Sequence, residues 1–275
     1  MLKYPGSKWS YADWICSFFP QHTFYLEPFF GGGAIFFKKE PARYETINDI
    51  DGLVVNFFRA CRDFSDELAR VVNLTPFSRD EYMSIQEERA GEEIHLTGNC
   101  VEDARRFLVR CSQGFGSKLA DRVGWKNTKH SAGPANPAIW NRLPDSIYKA
   151  AVRLKNAQIE NTDAIQLIKD CNAPDCLIYA DPPYLSETRN GRRIYRKEML
   201  TREQHKKLLD VLIVHEGPVV LSGYDNELYN DTLKKWHKES KIGRANSAAK
   251  RVETIWMNFE PQIMLWDKLR LLEEG

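Results

Sequence analysis

A tetrapeptide, Asp181-Pro182-Pro183-Tyr184, combines groups that can act together on an aromatic amine. The exocyclic amino nitrogen of a purine is planar and a poor nucleophile because its lone pair is delocalised into the ring. The carboxylate of Asp181 and the backbone carbonyl of Pro182 can each accept a hydrogen bond from such an amine and aim its lone pair at a methyl sulfonium. Tyr184 offers a ring on which a purine can stack. A strand that merely ends at a Pro-Pro turn is the alternative interpretation.

The tetrapeptide directly follows an apolar run at residues 177–180, which is typical of a buried strand. Ligands of open α/β sheets bind at the carboxyl ends of the strands. The position therefore predicts that Asp181 projects into a cleft. Transfer to an amine needs no covalent intermediate, so no activated cysteine is required.

A second candidate site is a glycine turn, Glu27-Pro28-Phe29-Phe30-Gly31-Gly32-Gly33, which follows a β-rich run at residues 23–27. Glycines let the backbone approach a ligand closely, and residues 34–37 are predicted to start a helix. The spacing matches neither the dinucleotide-binding motif nor the P-loop. By itself the turn is therefore also compatible with the phosphates of another cofactor.

Asp49 follows a second predicted strand at residues 44–48. It lies about 20 residues past the glycine turn, the separation at which an acid commonly accepts hydrogen bonds from ribose hydroxyls. An aspartate that caps the following helix is the alternative interpretation.

The elements that must position these residues alternate between strand and helix. Further strands are predicted at residues 157–160, 176–180 and 218–222, and helices between them at residues 164–169 and 202–214. Such alternation is typical of an α/β fold with a mostly parallel sheet covered on both faces. The last predicted strands lack intervening helices and lie at residues 236–242, 253–259 and 263–266. They indicate an antiparallel hairpin at one edge of the sheet.

The alternation stops between residues 58 and 155, where helical patterns dominate. Apolar residues share one face of a predicted helix at Ala104, Leu108, Cys111 and Phe115, and a Gly/Pro/Asn-rich stretch follows. We interpret residues 58–155 as an inserted helical domain. Residues 1–57 and 156–275 then form the α/β domain.

Basic residues cluster locally although the formal net charge is only +1. The insertion carries Arg105, Arg106, Arg110, Lys118, Arg122, Lys126 and Lys129, with aromatic residues between them. A second cluster contains Arg189, Arg192, Arg193, Arg196 and Lys197. Basic side chains among aromatics suit nucleic acid, and a solvated basic surface is the alternative.

The composition excludes several classes of protein. At 275 residues, 43% of them hydrophobic, the chain can bury a large core, and no apolar run approaches the roughly 18 residues of a membrane helix. The N-terminus lacks the features of a secretory signal, so we expect a cytoplasmic protein. Six cysteines without zinc-ligand spacing are expected to be free thiols, and no metal site is predicted.

These motifs, in this order, resemble the D12-class or Dam-type DNA N6-adenine methyltransferases, especially their phage and prophage members. Residues 3–8 look like the family's opening motif, and residues 27–33 like its cofactor loop. Residues 48–50 resemble its ribose-binding turn, residues 161–163 the loop that meets the cofactor adenine, and residues 181–184 its catalytic tetrapeptide. Residues 222–224 and 253–258 resemble strand ends near the substrate pocket.

The resemblance implies a Rossmann-like fold that binds S-adenosyl-L-methionine. It implies cofactor-binding roles for Tyr4, Lys8, Glu27, Pro28, Phe29, Gly31, Gly33, Asp49, Asp163 and Asp181, and catalytic roles for Asp181, Pro182, Pro183 and Tyr184. The insertion becomes a target-recognition domain of the family's α group, although its residues 124–137 do not reproduce the hairpin of GATC-specific members. The expected partner is double-stranded DNA whose target adenine is flipped out, in a phage or restriction-modification setting.

Two other functions stay open at this point. One is a methyltransferase that acts on RNA or on a protein amide, whose tetrapeptides begin with Asn rather than Asp. The other is a nucleic-acid-binding module that has lost catalysis, against which the intact Asp181, Tyr184 and glycine turn speak.

Overall fold

The computed structural model describes residues 4–87, 96–115, 123–127, 135–185, 187, 199–243 and 251–261. The strands in these ranges are β1 (Phe24–Glu27), β2 (Tyr44–Asn48), β3 (Ala157–Glu160), β4 (Cys176–Ala180), β5 (Val219–Gly223), β6 (His237–Gly243) and β7 (Arg251–Met257). The helices are α1 (Ala12–Cys16), α2 (Gly52–Asp63), α3 (Ser65–Leu74), α4 (Arg79–Glu87), α5 (Cys100–Gln113), α6 (Asn136–Trp140), α7 (Leu143–Leu154), α8 (Ala164–Asp170), α9 (Arg202–Ile213) and α10 (Glu227–Thr232). None of the helices described is long and apolar enough to cross a membrane.

The strands form one sheet in the order β3-β2-β1-β4-β5-β7-β6. β1 is parallel to β2 and β4, and β4 is parallel to β5, whereas β7 is antiparallel to both β5 and β6. β4 and β5 are buried along their whole length, as expected for central parallel strands covered on both faces. The predicted α/β class and the antiparallel edge hairpin are confirmed.

One compact unit comprises Lys8–Asn48, Thr162–Gly191 and Met199–Gly275. Its core includes Leu26 of β1, Ile178 of β4, Leu221 of β5 and Leu208 of α9. α9 begins at a capping box, in which Thr201 accepts from the Gln204 N–H and the Gln204 side chain accepts from the Thr201 N–H. This cap sets the start of α9 and places its apolar face in the core.

The other compact unit comprises Met1–Ser7, Asp49–Asn161 and Arg192–Glu198. It is mainly helical, because α2, α3, α5 and α7 each present an apolar stripe to their neighbours. Buried residues of these stripes include Phe57, Leu68, Phe107 and Ile147. The predicted domain boundaries, at residues 57/58 and 155/156, stay a prediction.

Two local predictions are wrong. Residues 34–37 form turns rather than a helix, with the Lys38 and Lys39 N–H groups both donating to the carbonyl of Ile35. Pro41 follows a few residues later and cannot continue a helix. Phe115 is 70% exposed because α5 ends at Gln113, before the predicted apolar stripe is complete. The strand predicted at residues 263–266 lies outside the described residues.

Candidate active site

Asp181 follows β4 directly, at the carboxyl end of a central parallel strand. Its Oδ2 lies 2.9 Å from Nζ of Lys8, whose side chain is buried. Its Oδ1 is also buried, and it accepts no hydrogen bond from any group within the described ranges. One carboxylate oxygen is therefore held by a cation while the other is left as an acceptor for a ligand.

Glu253 of β7 joins this pair. Its Oε1 accepts hydrogen bonds from the hydroxyls of Ser222 and Tyr184, both at 2.6 Å, and lies 3.7 Å from Nζ of Lys8. The Glu253 and Ser222 side chains are buried. Lys8, Asp181, Tyr184, Ser222 and Glu253 thus form one polar cluster, which we call the carboxylate cluster.

The Tyr184 ring is fixed from several directions. Nζ of Lys8 lies 4.7 Å from its centroid, and the ring of Tyr224 packs edge-on at 4.5 Å. Burial and the carboxylates of Asp181 and Glu253 raise the pKa of Tyr184 well above its ordinary value. The hydroxyl therefore stays protonated and acts as a donor to Glu253.

The same surroundings make Asp181 a stronger base than an ordinary aspartate. Burial raises the pKa of Asp181 to about 6, the Lys8 ammonium opposes that rise, and the Glu253 carboxylate adds to it. A carboxyl group with this pKa is ionised at neutral pH but accepts a proton more readily than an exposed one. Such a group can accept a hydrogen bond from an amine and then take its proton.

Glu27 is buried at the end of β1, the strand adjacent to β4, which Asp181 follows. It accepts a hydrogen bond from the hydroxyl of Tyr25 at 2.7 Å. The pKa of Glu27 is raised to about 8, mainly by burial. The hydrogen bond from Tyr25 opposes this rise, and the Asp181 carboxylate contributes to it. A carboxyl group with this pKa is largely protonated at neutral pH, and a cation bound beside it would favour its ionised form.

The glycine turn after Glu27 is held by β2. The Phe30 N–H donates to the carbonyl of Asn48, and the Asn48 amide donates to the carbonyl of Pro28. Gly31 and Gly33 have φ of 49° and 65°. At Gly33 a Cβ would also come within 2.5 Å of the Phe30 ring, so only glycine fits there.

Three other residues with predicted cofactor roles, Tyr4, Asp49 and Asp163, are not part of the carboxylate cluster. Tyr4 and Asp49 belong to the mainly helical unit, where the ring of Tyr4 lies near Phe107 and Asp49 Oδ1 accepts from the Asp51 N–H at 2.8 Å. Asp51, rather than Asp49, caps α2. Asp163 caps α8 through the Gln166 N–H. Their cofactor roles stay predictions.

The structure describes three of the predicted DNA-binding residues of the insertion, Arg105, Arg110 and Lys126. Arg110 is 3% exposed, and its guanidinium donates to the carbonyl of Ile85. Arg105 is bound by the carboxylates of Glu102 and Glu81. Both guanidinium groups are thus engaged inside the protein, so we no longer assign them to DNA. Lys126 is partly exposed.

The remaining predicted DNA-binding residues, Lys118, Arg122, Lys129, Arg189, Arg192, Arg193 and Arg196, lie outside the described residues. Ser222 and Glu253 lie in segments predicted to be strand ends near the substrate pocket, but no individual role was predicted for either residue, and Lys8 was not paired with Asp181. The available signal was an acid, Glu253, at the start of an otherwise apolar predicted strand. A charged side chain in a buried strand needs an oppositely charged or hydrogen-bonding partner, so Glu253 indicated a polar site.

Comparisons with known proteins identify a family and several relatives. The family model for D12 class N6 adenine-specific DNA methyltransferases matches residues 4–247. The type II methyltransferase M1.LlaDCHI of Lactococcus lactis subsp. cremoris is 26% identical over 273 residues, covering 94% of each chain. The DNA adenine methylase of Escherichia coli K12 is 22% identical over 263 residues, covering 88% of this chain and 84% of its own.

Proposed function

Because the chain belongs to the D12 class of N6 adenine-specific DNA methyltransferases, we propose that Asp181 and Tyr184 act directly on the target adenine. The enzyme methylates N6 of adenine in DNA in a reaction that depends on S-adenosylmethionine. This family acts on DNA, which decides against the RNA and protein-amide alternatives. Double-stranded DNA with the target base flipped out is the substrate form that we propose, since an N6 amine inside the base stack is out of reach.

The observation that carries the assignment is the buried Oδ1 of Asp181, which accepts no hydrogen bond from the part of the chain that the structure describes. Lys8 holds Oδ2, so Oδ1 is oriented to accept a hydrogen bond from the N6 amino group. The Pro182 carbonyl accepts the second amino hydrogen. As N6 gains the methyl group it loses one proton, and Asp181 is the group placed to receive it.

The residues present also fit a cationic cofactor. When bound, S-adenosylmethionine supplies an electrophilic methyl group on a positively charged sulfur. Glu27 and Asp181 lie at the carboxyl ends of adjacent strands, where ligands of open α/β sheets bind. Asp181 is ionised at neutral pH, and a cation bound beside Glu27 would favour the ionised form of its carboxyl group. We assign Glu27 and the backbone of the glycine turn, including Pro28, Phe29, Gly31 and Gly33, to the cofactor site.

A methylation map tests this function. The gene is expressed in a host without adenine methylation, and N6-methyladenine is located by single-molecule sequencing. We expect modified adenines within one short sequence motif, and none when the gene carries Asp181→Ala. Absence of N6-methyladenine with a folded wild-type protein would refute the function. A recurring motif would also identify the site that a cognate restriction enzyme would cut.

The pH dependence of the rate follows from the pKa of Asp181. Its pKa in the folded enzyme is about 6, so acidification through this value protonates the oxygen that must accept the amine hydrogen. We expect kcat/KM to fall below about pH 6, as the Asp181 carboxylate of the free enzyme becomes protonated. Initial rates measured between about pH 5 and pH 8 check this, and a flat profile would contradict it.

Tyr184 is expected to stack on the flipped adenine. Tyr184→Ala should cost roughly 1–3 kcal/mol of target-base stabilisation, whereas Tyr184→Phe should cost less because the ring remains. Fluorescence of 2-aminopurine at the target position reports how the extruded base is held. Equal signals and equal turnover for the wild-type, Phe and Ala enzymes would rule out the stacking role.

A further inference from the structure

Building on the proposed function, we propose that Glu253 is a positioning residue of methyl transfer, which anchors the Tyr184 ring by its hydroxyl and shares the Lys8 ammonium with Asp181. Glu253 does not touch the reacting atoms in this proposal. It acts through the two side chains that do, Tyr184 and Asp181.

The position of Glu253 suits this role. It lies in β7, whose antiparallel partner β5 carries Ser222. Three groups converge on its Oε1, namely the hydroxyls of Ser222 and Tyr184 and the ammonium of Lys8. Hydrogen bonds to a charged acceptor are about twice as strong as neutral ones, so the buried carboxylate holds its partners firmly. The Ser222 hydroxyl in turn fixes the carboxylate on the sheet.

Anchoring the hydroxyl restricts the Tyr184 ring. The hydroxyl end of the ring is held by Glu253, and the ring of Tyr224 packs against it at an interplanar angle of 65°. A ring fixed at both places presents a defined face to a purine before the purine arrives. Preorganisation of this kind lowers the cost of ordering on binding.

Sharing the ammonium sets the charge around Asp181. Lys8 is closer to Asp181 than to Glu253, at 2.9 Å against 3.7 Å, and one cation serves two carboxylates. Because the like charge of Glu253 disfavours the ionised form of Asp181, it makes Asp181 a better acceptor for the N6 proton. The titratable groups that interact with Asp181 are Lys8, Glu27, Tyr179, Tyr184, Tyr229 and Glu253.

The decisive variant is Glu253→Gln, which keeps an oxygen for Ser222 and Tyr184 but removes the charge. We expect the acidic limb of kcat/KM against pH to move to lower pH by roughly one unit. The matched control is Glu239→Gln on the neighbouring strand β6, where Glu239 contacts His237. It changes the net charge equally and should leave the midpoint at its wild-type position.

A second pair of variants separates the anchoring role from the charge. In Glu253→Gln the 2-aminopurine signal of bound DNA should stay close to that of the wild type, because the amide oxygen still accepts from Tyr184. In Glu253→Ala the signal should change in the same direction as in Tyr184→Phe, since both variants remove the anchor. Thermal unfolding followed by circular dichroism identifies a variant that has lost its fold. If Glu253→Ala does not fold, Tyr184→Phe still tests the anchor, because it removes the hydroxyl that donates to Glu253.

The outcomes distinguish this inference from the proposed function. An unchanged midpoint in Glu253→Gln, with an active wild-type enzyme, overturns the shared-ammonium role and leaves adenine methylation intact. A 2-aminopurine signal in Tyr184→Phe identical to that of the wild type overturns the anchoring role. A wild-type enzyme that methylates no DNA overturns the proposed function itself.

Discussion

Replacing Asp181 by alanine should lower the rate of methyl transfer by at least about 10³-fold, because it removes both the acceptor that activates N6 and the group that receives its proton. The fold should survive. Lys8 keeps Glu253 at 3.7 Å as a counter-ion, so the substitution leaves no isolated buried charge. Removing Asp181 also removes the like charge that raises the pKa of Glu27.

Single-turnover transfer of a labelled methyl group to DNA measures this loss. Asp181→Asn is the matched variant, because it keeps the size of the side chain and one acceptor oxygen while removing the charge and the basicity. It should also be strongly impaired. Cofactor binding, measured by calorimetry, should change far less than the rate in both variants. Near wild-type single-turnover rates in Asp181→Ala would disprove the proposed mechanism.

The largest effect on stability is expected for Lys39→Met, which should lower the free energy of unfolding by about 3–5 kcal/mol. Nζ of Lys39 lies 2.6 Å from Oε1 of Glu45, and the two side chains are only 3% and 1% exposed. The same ammonium donates to the carbonyl of Glu40 and lies 4.3 Å from the centroid of the Tyr25 ring. Without it the buried Glu45 carboxylate loses its ammonium partner, which is costly in a medium of low dielectric constant.

Urea unfolding followed by circular dichroism measures this difference. The control is Arg62→Met, which breaks a more exposed ion pair to Asp63, with side chains 32% and 42% exposed, and should cost at most about 1 kcal/mol. The double substitution Lys39→Met with Glu45→Leu should recover much of the loss, since it removes both charges. Equal losses for Lys39→Met and Arg62→Met would show that burial does not strengthen the Lys39–Glu45 pair.

Much of the fold could be predicted from the sequence because it depends on local patterns. Short runs of strand-forming residues ended by Pro, Gly, Asp or Asn predicted β1, β2, β3, β4 and β5 within a residue at each end. The sequence also predicted that Asp181 lies at the carboxyl end of a central strand, because a residue that directly follows a parallel strand must lie at that end of the sheet. The antiparallel edge followed from strands that lack helices between them. The sequence therefore determined the chemistry that Asp181 and Tyr184 can perform.

Only the tertiary structure decided which charges meet. Lys8, Asp181 and Glu253 are far apart in the chain, and their contacts arise where β4, β5 and β7 and the segment before α1 converge. Arg105 and Arg110 are close in the sequence and were predicted to bind DNA together. The sequence did not reveal that carboxylates bind Arg105 or that Arg110 is buried. Whether two charged side chains pair depends on the distance between them in the folded chain. The positions of residues along the sequence indicate only the helix or strand to which each belongs. For this reason the sequence indicated the carboxylate that we propose to be catalytic, and the folded chain set its counter-ion, its neighbouring charge and its basicity.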